Sequence, residues 1–189
     1  MNREAALAIV VEHVANQNLR RHMYAVEAAM RAYAGRLGGD PDEWGLAGLL
    51  HDFDWEIHPT LENHPQAGAA LLQARGVPEN IVMCILSHAD HTGVPRDTPM
   101  RRALFACDEV TGLITAVALV RPSRSLHDLT AASVRKKWKD GRFAAAVNRG
   151  EIELGAAALG VDLWIHVENV ILAMRSIAQD LGLDGRAAS

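Results

Sequence analysis

Apolar positions recur every three to four residues along most of the chain, and Ala and Leu dominate them. The period-2 alternation of β-branched and aromatic residues that a half-buried strand needs is absent. The spacing predicts a first helix from about Arg3 to Ala15 and a second, N-capped by Asn18, running through Leu37 and closed by Gly38-Gly39. Asp40-Pro41 reads as an N-cap with proline at the first helical position, opening a short apolar run that ends at His51-Asp52. His64-Pro65 opens "HPQAGAALLQAR", which stops at Gly76, and Pro78 starts a helix through about His88. Beyond the turn-rich "HTGVPRDTP", Thr98-Pro99 caps a long helix from Met100 to about Val120, ended by Pro122. A basic, mixed stretch and short helices follow. A last helix from about Asp162 to Leu181 precedes Gly182 and a frayed tail, "DGRAAS". There is no internal repeat and no low-complexity linker. The expected fold class is all-α, a single helical-bundle domain over residues 1–189.

Two of these apolar faces carry polar side chains. Positions 22, 26, 29, 30, 33 and 37 read His, Val, Ala, Met, Tyr and Leu, so His22 sits on the inward stripe. Asp108 follows Leu104 and Phe105 at helical spacing in "RRALFACDEVTGLI". A carboxylate in that setting needs a partner, because desolvating an unpaired charge costs several kcal/mol. Taken alone, His22 reads as a hydrogen-bonded core histidine and Asp108 as half of an ion pair or a packing hydrogen bond. Their order with other residues changes the picture. His22, His51-Asp52, His64, His88 and Asp108 form the series H…HD…H…H…D across successive helices or helix ends.

Composition narrows the function classes. Lys and Arg number 19 against 23 Asp and Glu, a net charge of −4, so no bulk basic charge points to a nucleic-acid polymer. The N-terminal stretch lacks a signal-type apolar core, and the apolar run "LITAVALV" is too short to span a bilayer. A cytoplasmic location without membrane association is expected. Cys84 and Cys107 lie in apolar stretches and read as core thiols of a reducing compartment, with one disulfide left open. Neither stands in a CxxC or Cys-His arrangement, and no Walker loop or GxGxxG is present.

The series, with "LAGLLHDFD", "HPQAGAALL", "LSHADHTGVP" and "LFACDEVTGLI" around it, resembles the HD-domain superfamily of helical metal-dependent phosphohydrolases. The resemblance covers about residues 19 to 120, leaving a C-terminal helical extension over about 121–182. It is closest in size and pattern to small stand-alone HD hydrolases. It implies a metal site built from His22, His51, Asp52, His64, His88 and Asp108. His22, His51, Asp52 and Asp108 would hold one ion; His64 and His88 would add a second, with Asp52 as the bridge. Such imidazole and carboxylate ligands suit divalent Fe, Mn, Co, Ni or Zn, and Mg less well. The implied reaction is attack of metal-activated water on phosphorus in a nucleotide-like or other small phosphorylated metabolite, with Asp52 and His91 in catalytic roles. Two other uses of the same ligand set stay open: a di-iron oxygenase, and a non-catalytic nucleotide-sensing HD domain. A homo-oligomer is compatible with either.

The sequence departs from the family pattern in two places. Trp55 stands where many members follow the His-Asp pair with lysine. The adjacent histidine pair of the cyclic-dinucleotide phosphodiesterases is split here by Ala89-Asp90, so that specificity is not carried over. Replacement cations for the substrate phosphate are sought in Arg121 and Arg124, directly after the Asp108 helix. The basic run that follows reads as a solvated face, and Trp138 as a core or interface residue with base stacking as the alternative.

Overall fold

The computed structural model describes residues 1–185, and among them the chain is all-α. Nine helices follow in order: α1 (Arg3–His13), α2 (Gln17–Leu37), α3 (Pro41–Leu50), α4 (Gln66–Ala74), α5 (Glu79–Leu86), α6 (Pro99–Leu119), α7 (Ala131–Trp138), α8 (Arg149–Ala158) and α9 (Leu163–Arg175). A short 3₁₀ turn, Asp90–Thr92, lies between α5 and α6. No single helix among the described residues is long and apolar enough to cross a membrane.

The long helices α2 and α6 form the centre. Helix α2 packs on α3, α6 and α9, and α6 also takes α8. The α2–α3 contact is close because Gly48 faces α2. A Cβ there would stand 2.9 Å from the Glu27 backbone. That close crossing brings the end of α3, where the His-Asp pair begins, against the helix that carries His22. One contiguous apolar cluster runs from Ala6 through Met30, Leu50, Leu104 and Ile114 to Leu183, so the extension after residue 120 shares the core. Cys84 and Cys107 are buried within it and both are free, so the disulfide left open by the sequence is not formed.

Several helix ends differ from expectation, each for a local reason. Asn16, not Asn18, caps α2: its backbone is extended and its side chain accepts from the N–H groups of Asn18 and Leu19. Helix α1 stops at His13 because Arg20 reaches back to the carbonyls of Val14 and Val11. Helix α4 begins at Gln66, after His64, whose ring is used elsewhere, and α5 ends at Leu86 before His88. Helix α9 ends at Arg175 rather than near Leu181. There the Ser176 hydroxyl donates to the Ala173 carbonyl, and the backbone tightens into turns. Asp184, the first residue of the tail expected to fray, is held: Leu126 N–H donates to Leu183 O at 2.8 Å and Ser125 pairs with Asp184. Residues 186–189 of that tail lie outside the described residues.

Candidate metal centre

Helix α2 presents His22 from its second turn, the end of α3 presents His51, and the middle of α6 presents Asp108. Their ligand atoms lie within 4.8 Å of one another. A second group with the same closeness is formed by Asp52, His64 and His88. Asp52 joins the two. Its Oδ2 lies 3.4 Å from His51 Nε2 and 3.7 Å from His22 Nε2. Its Oδ1 lies 3.3 Å from His64 Nε2 and 3.8 Å from His88 Nε2. Adjacent side chains on a helix diverge by about 100°, and α3 ends just before the pair, which lets the two point into one cleft.

Each imidazole is oriented through its Nδ1. His51 Nδ1–H donates to Gly48 O at 2.9 Å, and His88 Nδ1–H to Ile85 O. His64 Nδ1–H donates to the carboxylate of Asp54 at 2.8 Å. His22 Nδ1 faces Thr111 Oγ1 at 3.2 Å. That hydroxyl gives its own proton to Asp108 O, so it is an acceptor toward the imidazole. All four Nε2 atoms are therefore lone-pair donors in the neutral rings, and they meet in pairs. His51 and His22 approach to 3.2 Å, and His64 and His88 also to 3.2 Å. Two nitrogen lone pairs facing each other at that distance require positive charge between them. The donor set therefore fits divalent metal, with the outer hydrogen bonds that ligating histidines need.

Without metal, that charge is supplied by protons. Burial works against a charged His51, but the carboxylates of Asp52 and Asp108 outweigh it and hold the ring well above the usual imidazole range. Burial likewise opposes a charged His64, yet Asp52 and Asp54 raise it to about 9. His88 goes the other way, pushed down by burial. For Asp52 and Asp108, burial favours the neutral acid. The facing imidazoles reverse this and hold both well below the usual carboxylate range.

Asp54 was not assigned a role by sequence reasoning. It is fully buried, and besides His64 its carboxylate takes the Gly68 N–H at 3.1 Å. A Cβ at position 68 would lie 2.5 Å from Asp54 Oδ2, so glycine is required for Asp54 to reach this place. The signal was present as a carboxylate two residues after the pair and a glycine four residues after His64.

The two groups open on a cleft of about 710 Å³. Trp55 and Leu61 stand at its edge, and Trp55 packs edge-on against His64 with ring centroids 5.0 Å apart. Glu109 and Glu151 also line the cleft. Glu109 accepts the Asn148 N–H at 2.9 Å, and Glu151 accepts from the Asn148 side chain at 2.6 Å. Burial raises both carboxyl groups, with neighbouring acids adding to it. Sequence reasoning missed these two. Among the described residues no Lys or Arg lines this cleft.

The remaining expected site residues lie as follows. His91 lines the cleft, but its Nε2–H is committed to His64 O at 3.0 Å, and it braces the segment carrying that ligand. Arg121 and Arg124 are not brought to the centre. Arg121 is tied to the Asp128 carboxylate at 2.7 Å and to Ser133, while Arg124 lies exposed in the same turn. Trp138 packs edge-on against Trp164, 5.3 Å between centroids, as a core or interface residue does. A larger hollow of about 950 Å³ between α1, α2 and α9 contains none of the ligand residues. There Arg3 and Arg31 pair with Glu27.

A family model described as HD domain matches residues 19–112, a span that begins before His22 and ends after Asp108. No curated protein and no solved structure matches the chain.

Proposed function

Over residues 19–112 the chain belongs to the HD-domain superfamily, and on that premise we propose that it is a metal-dependent phosphohydrolase acting on a small phosphomonoester. The observation that carries this reading is the Asp52 carboxylate, which directs one oxygen to each of two ligand groups. We take His22, His51 and Asp108 as holding one ion, His64 and His88 as holding the other, and Asp52 as shared. When bound, such ions supply Lewis acidity toward a phosphoryl oxygen and lower the pKa of a water to near neutrality. Four imidazoles with two carboxylates favour divalent Mn, Fe, Co, Ni or Zn over Mg.

The chain's own groups do the rest. Gly48 O, Ile85 O, Asp54 and Thr111 fix the four rings with Nε2 inward, so the ligands need no reorganisation when metal arrives. Trp55 and Leu61 give the cleft an apolar edge against which the alcohol half of a substrate packs. Glu109 and Glu151 accept hydrogen bonds from hydroxyl or amino groups on that half. With no Lys or Arg among the described residues of the cleft, the charge of one phosphoryl group would have to be balanced by bound metal, while a polyphosphate would meet carboxylates.

The test is protein loaded in turn with each of these metals and offered nucleoside monophosphates, sugar phosphates and polyol phosphates. Phosphate release with at least one metal is expected. A fully loaded protein that releases none from any of them would sink the hydrolase reading. Dioxygen uptake by the iron form would reassign the site to oxygenase chemistry.

A further inference from the structure

The cleft does not end at His22. His22 and Gly112 also wall a second groove of about 330 Å³. Along α6, Asp108, Glu109 and Gly112 face the cleft of the candidate metal centre, and Gly112, Thr115, Ala116 and Leu119 face the groove. Asp108, Gly112, Thr115 and Leu119 follow one another at spacings of four, three and four, so both hollows lie on one stripe of α6. From Asp108 to Leu119 that stripe runs about 16 Å at 1.5 Å per residue.

The two hollows have opposite character. The first cleft has Asp90, Glu109 and Glu151 in its wall besides the candidate ligands. The groove contains no carboxylate among its described lining residues, and its walls are largely apolar, with Leu119, Leu181 and Leu183. Its one full cation is Arg21. Among the described residues the exposed Arg21 side chain makes no hydrogen bond and no ion pair, unlike those of Arg3, Arg20, Arg31, Arg96, Arg101 or Arg121. Its guanidinium lies over Gly182, where a Cβ would come within 3.3 Å of Cζ and Nη2. Gly182 has φ of +67°, which a side chain would strain as well as crowd. A flat seat of this kind positions a guanidinium without using up its donors.

We propose that this groove is the second arm of the substrate site, and that Arg21 binds a terminal anionic group on a substrate whose phosphoryl group sits at the metal centre. The arm rests on the hydrolase reading and names its substrate class: a phosphorylated metabolite with a short apolar or weakly polar spacer ending in a carboxylate or second phosphate. Arg21 is a specificity residue here. It stands beside His22 in sequence, yet it takes no part in holding metal.

Alkyl monophosphonates and alkane-α,ω-bisphosphonates of matched chain length, neither of them hydrolysable at carbon–phosphorus, are titrated into metal-loaded protein. Beyond a threshold length the bisphosphonates bind the native protein tighter than their monophosphonate partners by about tenfold, the scale of one charge-assisted hydrogen bond. Arg21→Gln removes that gain and leaves monophosphonate affinity unchanged, and Arg21→Lys keeps part of it. Ala116→Phe, which fills the groove from α6, removes the gain with Arg21 intact. Monophosphonate binding with no gain at any length, or a gain that survives Arg21→Gln, overturns the arm alone. Failure of both probe classes to bind overturns the hydrolase reading and the arm together.

Discussion

His22 and Asp108 project from α2 and α6 and His51 from the C-cap of α3, whereas Asp52, His64 and His88 come from segments outside any helix. Each half contains one histidine tied to a carbonyl three residues earlier, His51 to Gly48 and His88 to Ile85. Each also contains one histidine tied across the structure, and here the halves part. His22 rests on a neutral hydroxyl at 3.2 Å, while His64 rests on a buried carboxylate at 2.8 Å. The helical half is placed by packing and the other by a charged hydrogen-bond network. A carboxylate behind an imidazole also makes it a stronger ligand.

Removing the group that the halves share has the largest effect. Asp52→Ala is expected to lower phosphate release by about 10³-fold or more, since such ions supply several kcal/mol to the transition state. Metal analysis of the same variant is expected to show less than the native content. Retention of full activity would mean that the halves work independently.

Next in size is Asp54→Asn, which keeps the six ligands and removes the charge behind His64. Metal affinity of the Asp52/His64/His88 half is expected to fall by about 10–100-fold, the cost of losing an outer-shell partner. Titration monitored by calorimetry should show the other half unmoved. Equal weakening of both sites would erase the distinction drawn above.

Affinity should also rise with pH, because His51 and His64 carry protons in the metal-free protein that metal must displace. Each displaced proton contributes about tenfold per pH unit below the pKa of its ring. The His64 half should level off near pH 9. In the metal-free protein the same raised value adds stability that is complete below about 6.5, the ordinary imidazole value, and is lost as pH climbs through about 9. Thermal unfolding from pH 6 to 10 with chelator reads that sign.

The smallest effect is expected from Thr111→Val, an isosteric change in a fully buried position. It removes a neutral acceptor, and a loss of about 1 kcal/mol, near fivefold in affinity at the His22 half, is the scale of such a bond. An effect as large as that of Asp54→Asn would show that charge is not what separates the halves.

Much of this was legible in the chain. Proline and N-cap residues marked the starts of α3 and α6, because that signal is local, while only the order of His22, His51-Asp52, His64, His88 and Asp108 along the chain marked candidate ligands that singly read as core residues. Asp54, Glu109, Glu151 and Arg21 were not legible, since their roles depend on partners such as Gly68, Asn148 and Gly182 brought in by the fold. Nearness in sequence misled at Arg121. It lies 13 residues beyond Asp108 along or just past α6, about 20 Å away at 1.5 Å per residue, and the loop that follows supplies its own carboxylate.

Glu56 lies four residues beyond Asp52, and its carboxylate receives the backbone N–H groups of Ala15 and Asn16 at 2.9 and 2.6 Å. Asn16 is also the residue that starts the helix bearing His22. The segment that emerges from the His-Asp pair is thus tied to the short connection between α1 and α2. Those two amides therefore serve as a built-in strain gauge: their hydrogen-exchange rates register how firmly residues 51–56 are held, and so report occupancy of the non-helical half from a position that touches no ligand.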